Sequence, residues 1–522
     1  MSSERYGKMR TSLLLSVLMV LMTQVGYLDV LNTWSEGEHT LDATTAAFES
    51  SSGSSQSNFT ASVEGADLTV DMPMTNITFQ YNASAASGSG SGSSSSSSFA
   101  YANNKLFAGH FHTCAILDNG DLKCWGENDK GQLGSGSNTD TNAPSSTAIN
   151  LGAGRTAVAV SAGERHTCAI LDNGDMKCWG RDQHGQLGDG GSNANTNAPS
   201  STAINLGTGR TAVAVSVGYE HSCAILDNGD VKCWGSDYYG QVGDGGSNAN
   251  TNAPSSTAIN LGTGRTAVAV SAGNYHTCAI LDNGDLKCWG RDNSGELGDG
   301  GTNTGTNAPS STAIDLGTGR TAVAVSAGYY HTCAILDNGD LKCWGSDYYG
   351  QVGDGGSAAT NVNTPSSTAI DLGTGRTAVA VSAGERHTCA ILDNGDMKCW
   401  GRDNFGQLGN GGTITANQLS PPSAAIDLGT GRTAVAVSAG KGHTCAILDN
   451  GDMKCWGYDI EGQLGIGATT GNQHSPVSLS GSNTWDSSTG ASSGSSGGMT
   501  NVTGATCTIS PSLPTGLSID SS

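Results

Sequence analysis

One short segment returns seven times along this chain of 522 residues. The first copy is CAILDNGDLKCWG, and the first cysteines of the copies are Cys114, Cys168, Cys223, Cys278, Cys333, Cys389 and Cys445. Successive copies start 54 to 56 residues apart. A nearly fixed period of this size is typical of solenoids and propellers, in which each unit packs on its neighbours.

Every unit is built from strand and turn signals. It contains a short apolar run (TAVAVSAG), the repeated segment, a GQLG turn, and a Ser/Asn/Pro-rich loop that ends in AINLG or AIDLG. No segment has the spacing of a helix, and 77 glycines with only 13% charged residues disfavour long helices. About four short strands in each of seven units predict an all-β, seven-bladed β-propeller.

The repeated segment predicts a β-hairpin that is closed by a disulfide. If Cys114 faces Cys124, the loop is Asp118-Asn119-Gly120, and glycine supplies the left-handed residue that a three-residue turn requires. Alternate pairs are hydrogen-bonded, so the two cysteines fall on a non-hydrogen-bonded pair, where α-carbons lie closest. The predicted disulfides are Cys114–Cys124, Cys168–Cys178, Cys223–Cys233, Cys278–Cys288, Cys333–Cys343, Cys389–Cys399 and Cys445–Cys455, with Cys507 left over.

The two ends of the repeat array complement each other. No GRTAVAVSAG run follows the last hairpin, whereas NKLFAGH, a match for that run, precedes the first hairpin. We therefore expect the N-terminal and C-terminal pieces of the array to share one blade, which closes the ring and removes exposed strand edges.

The composition along the chain predicts five regions. Residues 1–30 are expected to be a signal peptide or an N-terminal membrane anchor, because Arg5, Lys8 and Arg10 precede an apolar run at 11–22; a buried core helix is the alternative. Residues 31–103 are a Ser/Gly-rich linker with one strand-bearing patch at 68–84. The propeller covers 104–480, a second linker covers 481–506, and 507–522 form the last region.

The cysteines and the N-terminal segment together predict an extracellular or cell-surface protein. Four Asn-x-Ser/Thr sequons lie outside the repeat array, and they make glycosylated flanking segments the expectation: Asn58, Asn76, Asn82 and Asn501. A net charge of −22 excludes a nucleic-acid partner in practice, because proteins that bind nucleic acids need a basic surface.

The motif series AGxxHTCAIL, DNGD, KCWG and GQLG resembles the regulator of chromosome condensation repeat over residues 104–480. The resemblance implies a seven-bladed propeller, and the best-known member of that family is an exchange factor for a small nuclear GTPase. That member reaches its GTPase through an insertion in one blade, whereas no unit here carries an insertion. Extracellular relatives include a bacterial propeller that binds and inhibits β-lactamase. The last segment, 507–522, resembles the start of an immunoglobulin-like repeat of surface proteins, cut short.

No set of residues suggests catalysis or a cofactor. The seven histidines before the first cysteines occur once per blade, and we interpret them as hydrogen-bonding groups within each blade: His112, His166, His221, His276, His331, His387 and His443. The tryptophans after the second cysteines are expected to pack between blades. The DNGD carboxylates are explained by the hairpin turn, and the prediction is no metal site. Calcium is left open only for the Asp-Gly-Gly-Ser-Asn loops such as 189–193.

The copies differ from one another mainly at two short places. One is the pair before the histidine, and the other is the segment after Trp-Gly. The hairpin register places both at its open end, so we expect them on one rim of the disc, where Tyr, Arg and Asn are suited to recognition. The candidate binding residues are Phe111, Glu164, Arg165, Arg181, Tyr219, Glu220, Tyr238, Tyr239, Tyr275, Arg291, Tyr329, Tyr330, Tyr348, Tyr349, Glu385, Arg386, Arg402, Phe405 and Tyr458.

The sequence thus predicts a non-catalytic, monomeric propeller that binds an unidentified protein or other surface macromolecule through that rim. One alternative is a structural spacer or adhesin module without a specific ligand. Another is an activity like that of a guanine-nucleotide exchange factor, for which the missing insertion and the expected compartment are unfavourable.

Overall fold

The computed structural model describes residues 105–301, 304–356, 360–412, 417–468, 471–481 and Trp485, together with the backbone of four further strands. The expected signal segment, Cys507 and the sequons at Asn76, Asn82 and Asn501 lie outside these residues. Within the part of the chain that is described, no helix is long and apolar enough to cross a membrane.

The described residues contain 26 strands. They are β1 (Ala47–Gly53), β2 (Gln56–Val63), β3 (Ala66–Met72), β4 (Leu106–Ala108), β5 (His112–Ile116), β6 (Leu122–Gly126), β7 (Ala157–Ala162), β8 (His166–Leu171), β9 (Met176–Gly180), β10 (Ala212–Val217), β11 (His221–Leu226), β12 (Val231–Gly235), β13 (Ala267–Ala272), β14 (His276–Leu281), β15 (Leu286–Gly290), β16 (Ala322–Ala327), β17 (His331–Leu336), β18 (Leu341–Gly345), β19 (Ala378–Ala383), β20 (His387–Leu392), β21 (Met397–Gly401), β22 (Ala434–Ala439), β23 (His443–Leu448), β24 (Met453–Gly457), β25 (Gln473–Ser478) and β26 (Thr508–Ser510).

The chain divides into two compact units, residues 1–93 with 496–522, and residues 94–495. In the first unit, β1, β2, β3 and β26 form an antiparallel sheet in that order. Three of these strands fall within 31–103, the range expected to be a linker, and only β3 overlaps the predicted patch at 68–84.

The second unit is a seven-bladed propeller. Blade 1 consists of β4–β6, blade 2 of β7–β9, and so on to blade 7, which consists of β22–β25. In each of blades 1–6 the sheet has three strands, and the predicted fourth is reduced to one isolated bridge, such as that between Gly126 and Thr141. Where about four short strands were expected in each blade, blades 1–6 thus have three strands and a bridge. The Ser/Asn/Gly-rich loops bond to their own backbone, as when Ser145 accepts from Thr147 N–H, and such bonds compete with a strand ladder.

The predicted hairpins and disulfides are confirmed. In blade 1, Cys114 faces Cys124 in the β5–β6 register, Leu117 N–H donates to Asp121 O, and Gly120 has φ +83°. All seven expected disulfides are present, with Cα–Cα distances of 4.0–4.1 Å. The disulfides are buried, and Cys114 and Cys124 pack in one apolar cluster with Trp179 of blade 2.

The ring closes in blade 1, where both ends of the array meet as expected. Trp485 pairs with Leu117, and its N–H donates to Gly451 O of blade 7. In blade 2 the same two contacts are made by Ala157, which pairs with Leu171 and donates to Gly120 O of blade 1. Trp485 therefore starts the inner strand that β4 continues, and it is 2% exposed.

A hydrogen-bond network between neighbouring blades repeats seven times. Between blades 1 and 2, His112 Nε2 lies 2.9 Å from Thr167 Oγ1, whose hydroxyl donates to Gln132 O, and Trp179 Nε1–H donates to the same carbonyl. Between blades 7 and 1, His443, Thr113, Gln463 and Trp125 make the same contacts. The tryptophans pack between blades as predicted. The histidines, predicted to bond within each blade, instead join adjacent blades.

A candidate binding face around the propeller axis

The strand directions place both variable spots on the same side of the disc. Each inner strand leads to the pair before the histidine, and each β-hairpin returns to Trp-Gly beside that pair. The expected register is confirmed, since Glu127 N–H donates to Phe111 O at 2.9 Å and Arg181 N–H donates to Arg165 O at 2.8 Å. We call this side, made of the seven pairs and the four residues after each Trp-Gly, the variable face. The opposite side, which carries the DNG turns, is the turn face.

Glycines bring the seven blades close together at the axis. Gly163 and its six counterparts follow the inner strands, and a Cβ on Gly163 would overlap the carbonyl oxygen of Gly218 in the next blade. The same close approach runs round the ring to Gly440, which faces Gly109 O of blade 1. The inner strands and these glycines surround a cavity of about 70 Å³.

The first residue of each variable pair lies at the mouth of this cavity. Six of the seven line it, namely His110, Tyr219, Asn274, Tyr329, Glu385 and Lys441, whereas the seventh, Glu164, accepts a hydrogen bond from the hydroxyl of the lining residue Tyr219. Of the candidate binding residues, Tyr219, Tyr329 and Glu385 therefore lie on the expected side of the disc and close to its axis. The inner strands line the cavity, so a residue that directly follows one of them lies close to the axis.

Aromatic rings from several blades meet over the axis. The His110 ring of blade 1 lies 5.0 Å from the Tyr219 ring of blade 3 and 5.3 Å from the Tyr329 ring of blade 5. Tyr275 of blade 4 adds a ring 5.5 Å from Tyr219. Burial raises the pKa of Tyr219 and Tyr329, and burial lowers the pKa of His110. The rings are therefore neutral at pH 7 and pack against one another over the axis.

Ion pairs occupy the part of the variable face that belongs to blades 1–3. Arg165 lies 3.0 Å from Glu127 and 2.7 Å from Asp129, both in blade 1. Arg181 lies 2.7 Å from Glu164 and 2.9 Å from Glu220 of blade 3. Desolvation raises the pKa of Glu127 to about 7, although the charge of Arg165 opposes that shift.

Cation–π contacts dominate blades 3–5. The Arg291 guanidinium lies 4.9 Å from the Tyr330 ring centre and 5.7 Å from those of Tyr239 and Tyr275. These rings belong to blades 5, 3 and 4, so one arginine of blade 4 contacts both neighbouring blades.

The same kind of contact continues through blades 5, 6, 7 and 1. The ring of Tyr349 is contacted by Arg386 at 5.0 Å and by Arg402 at 4.9 Å. The remaining pairs are Phe405–Tyr458, with centroids 4.8 Å apart, and Lys441–Phe111 at 4.3 Å. Most of the candidate residues therefore contact a candidate residue of the adjacent blade, and their charges and rings are largely used within the molecule.

Three apolar side chains of the variable face are left exposed. Tyr238 is 73% exposed, Tyr348 60% and Ile460 59%. All three are the third residue after Trp-Gly, in blades 3, 5 and 7, whereas blades 2, 4 and 6 have Gln183, Asn293 and Asn404 there. Ile460 was absent from the sequence-based candidates, although its position in the repeat is the same as that of the two tyrosines. The axial His110 and Lys441 were missed in the same way.

The DNG turn carboxylates and the network histidines are two further repeated sets of ionisable groups. Among the residues that the structure describes, no group of three or more His, Cys, Asp and Glu side chains is placed to hold a metal ion. The DNG turn carboxylates take part in local contacts, such as Asn119 Nδ2–H donating to Asp121 and Arg155 pairing with Asp172 at 3.4 Å. The pKa of all seven network histidines is lowered to about 3, and burial is the largest cause in each case.

Comparisons with known proteins agree with this architecture. A family model described as RCC1-like domain matches residues 94–423 and 193–500. The chain is 31% identical over 362 residues to the Arabidopsis thaliana ultraviolet-B receptor UVR8, covering 69% of this chain and 78% of that protein. It resembles the crystal structure of Prp20p from Saccharomyces cerevisiae (TM-score 0.60, 20% identity, 70% of this chain and 88% of that one). It also resembles that of human WBSCR16 (TM-score 0.59, 22% identity, 68% and 94%).

Proposed function

Because this chain belongs to the family of RCC1-like domains, we propose that it is a non-catalytic propeller that binds a protein through its variable face. We propose further that it acts outside the cell, as a monomer. Seven buried disulfides support the compartment, because such bonds form and persist in oxidising surroundings.

The observation that carries the proposal is the exposure of Tyr238, Tyr348 and Ile460. Their repeat position is polar in the blades between them, so the exposed apolar groups are regularly spaced on the one face where the copies differ. Arginines elsewhere on the face, such as Arg165 and Arg181, are already paired within the molecule, which lowers the cost of covering them with a partner. Exposed aromatic side chains surrounded by satisfied polar groups are typical anchors of protein interfaces.

The partner is expected to be a protein rather than a nucleic acid. The net charge of −22 opposes phosphate backbones, and the arginines of the face are held by Glu, Asp and aromatic rings. Among the similar proteins, UVR8 is named a receptor, and Prp20p is described as binding Gsp1p and histones. These partners are properties of those proteins, and the shared feature that supports the proposal is the propeller.

The test compares three forms of the full chain, produced with its disulfides formed. The face variant carries Tyr238→Asn, Tyr348→Asn and Ile460→Asn, which place the residue of Asn293 and Asn404 in all three blades. The control carries Val158→Thr, Val213→Thr and Val379→Thr, because these valines are 43–45% exposed and lie on the turn face. Each form is immobilised and incubated with medium and surface extract of its own cells, and bound proteins are quantified by mass spectrometry.

We expect at least one protein to be held by the parent and the control and to be reduced at least tenfold in the face variant. That factor corresponds to about 1.4 kcal/mol, which is small for the loss of three anchors. If all three forms retain the same proteins, or none retains any, the face is not a recognition surface and the spacer interpretation is favoured.

A further inference from the structure

The second residue after Trp-Gly is buried in every blade and has the same first contact. In blade 1 it is Asn128, whose Oδ1 accepts the Leu133 N–H at 2.9 Å. In blade 2 it is Asp182, whose Oδ1 accepts the Leu187 N–H at 2.9 Å. The other terminal atom, Nδ2 of Asn128 or Oδ2 of Asp182, consequently occupies the equivalent place beside the Ser/Asn/Gly-rich loop.

Blade 1 shows which groups surround that place. Asn128 Nδ2 donates to Ser137 O at 2.9 Å and to Thr139 O at 3.1 Å, so backbone carbonyl oxygens of the loop point toward it. In blade 2 the atom beside the loop is a carboxylate oxygen. Asp182 is 0% exposed, and its Oδ2 has no hydrogen-bond partner among the described residues. A buried carboxylate oxygen without a donor or a cation is strongly unfavourable.

A second carboxylate is added seven residues later. In blade 6 this position is Asn410, and its Nδ2 donates to Asp403 Oδ2 at 3.2 Å, so a side chain there reaches the buried carboxylate. In blade 2 the position is Asp189, which cannot donate. Desolvation, with a further contribution from the charge of Asp189, raises the pKa of Asp182 to about 6. Blade 2 thus has a negative group where blade 6 has a donor.

Blade 3 has the two aspartates, the loop sequence and the first contact of blade 2. It has Asp237 and Asp244 at the two positions, and its loop has the same sequence, DGGSNANTN. Asp237 Oδ1 accepts the Val242 N–H at 2.8 Å, and desolvation together with the charge of Asp244 raises the pKa of Asp237 to about 6. Blades 4 and 5 have the same pair of aspartates, but 302–303 and 357–359 of their loops lie outside the described residues.

We propose that the loops of blades 2 and 3, residues 182–195 and 237–250, each bind one calcium ion. The ligands are the paired carboxylates, Asp182 with Asp189 and Asp237 with Asp244, and backbone carbonyls of the loop. Carboxylate and carbonyl oxygens on a flexible loop suit Ca²⁺, whereas Mg²⁺ requires nearly ideal octahedral geometry and keeps several waters. The ion takes the place of the amide that fills the same space in blades 1 and 6.

The experiment titrates the full disulfide-bonded chain with CaCl2 by isothermal calorimetry, after treatment with EGTA. The site variant carries Asp189→Asn and Asp244→Asn, because blade 6 has asparagine at this position. In the parent, Gly191 N–H donates to Asp189 Oδ1, and the asparagine of the variant keeps an oxygen for that bond. The control carries Asp371→Asn and Asp427→Asn, an equal change in charge. Blades 1–3 have asparagine at the position of Asp371 and Asp427. The local hydrogen bond is the same with either residue, since Asn150 accepts from Gly152 N–H and Asp371 accepts from Gly373 N–H.

We expect calcium affinities in the range of about 10⁻⁴–10⁻³ M that is typical of extracellular modules. The site variant should bind two calcium ions fewer than the parent, and the control should bind as many as the parent. Equal stoichiometry in the parent and the site variant would overturn the proposal. So would the absence of binding at 10 mM CaCl2, on the order of ten times the weakest expected constant, or binding of MgCl2 as tight as that of CaCl2. The calcium readout is independent of the pull-down that tests the binding face.

Discussion

The buried histidine network makes a quantitative prediction about acid. His276 is 1% exposed, and its Nε2 lies 2.8 Å from Thr332 Oγ1. The Thr332 hydroxyl donates to Glu296 O at 2.8 Å, so its oxygen must accept, and the histidine proton is on Nε2. Nδ1 has no hydrogen-bond partner within the described residues, and a second proton there would be a buried charge without an acceptor.

The sign of the pH dependence follows from the lowered pKa. Burial, with smaller contributions from neighbouring charges, lowers the pKa of His276 from 6.5 to about 3. As the pH falls below 6.5, the unfolded chain takes up a proton and the folded protein does not, so stability is lost between pH 6.5 and about 3. Between pH 7 and pH 5 this single histidine should remove about 2 kcal/mol from the free energy of unfolding.

The variant His276→Gln isolates that contribution, because a glutamine amide can still donate to Thr332 but does not titrate. It should be less stable than the parent at pH 7, and the difference should shrink by about 2 kcal/mol at pH 5. Urea unfolding followed by tryptophan fluorescence measures the free energy at both pH values. Thr332→Ser, which matches Ser222 of blade 3, is the non-titrating control, and its difference from the parent should not change with pH. A difference between parent and His276→Gln that stays constant would refute a neutral, buried His276.

Three further predictions concern stability. Trp289→Phe should cost about 1–2 kcal/mol through the lost bond from Nε1 to Gln241 O, and Trp289→Ala about 3–5 kcal/mol, both measured by urea unfolding. Equal costs for the two variants would contradict a role for the hydrogen bond. Gly163→Ala should lower the melting temperature, because the new Cβ would overlap Gly218 O at the axis. An unchanged melting temperature would mean that the blades can separate there. Trp485→Ala should cost about 3 kcal/mol and speed proteolysis near residue 105, because Trp485 is 2% exposed and packs 5.4 Å from Trp125. Cleavage at the parent rate would contradict closure of the ring through this residue.

Local features of the propeller could be predicted from the sequence because they depend on short-range geometry. The register of Cys114 with Cys124 follows from the turn at Asp118–Gly120 and from the alternation of paired residues, and both hold in the structure. The number of blades follows from the repeat. The shared blade follows from the match between NKLFAGH and the missing run, although the sequence could not identify Trp485 as the residue that completes it.

The sequence predicts about four short strands in each blade, but in blades 1–6 the last of them is only a bridge, because side-chain bonds within the Ser/Asn-rich loops compete with strand pairing. Each histidine was predicted to bond within its own blade, which was also wrong. The sequence shows that His112 and Thr113 are neighbours along the chain, but His112 bonds to Thr167 of the next blade, 55 residues away.

The sequence by itself determined which positions vary and which hairpin end carries them, since the copies can be compared directly. Only the tertiary structure decided what those positions face. Glycine contacts such as Gly163 with Gly218 set the radius of the ring, and that radius brings His110, Tyr219 and Tyr329 together from three different blades. Such contacts depend on the distance between blades. That distance results from packing around the whole ring, and it cannot be read from the spacing of residues along the chain.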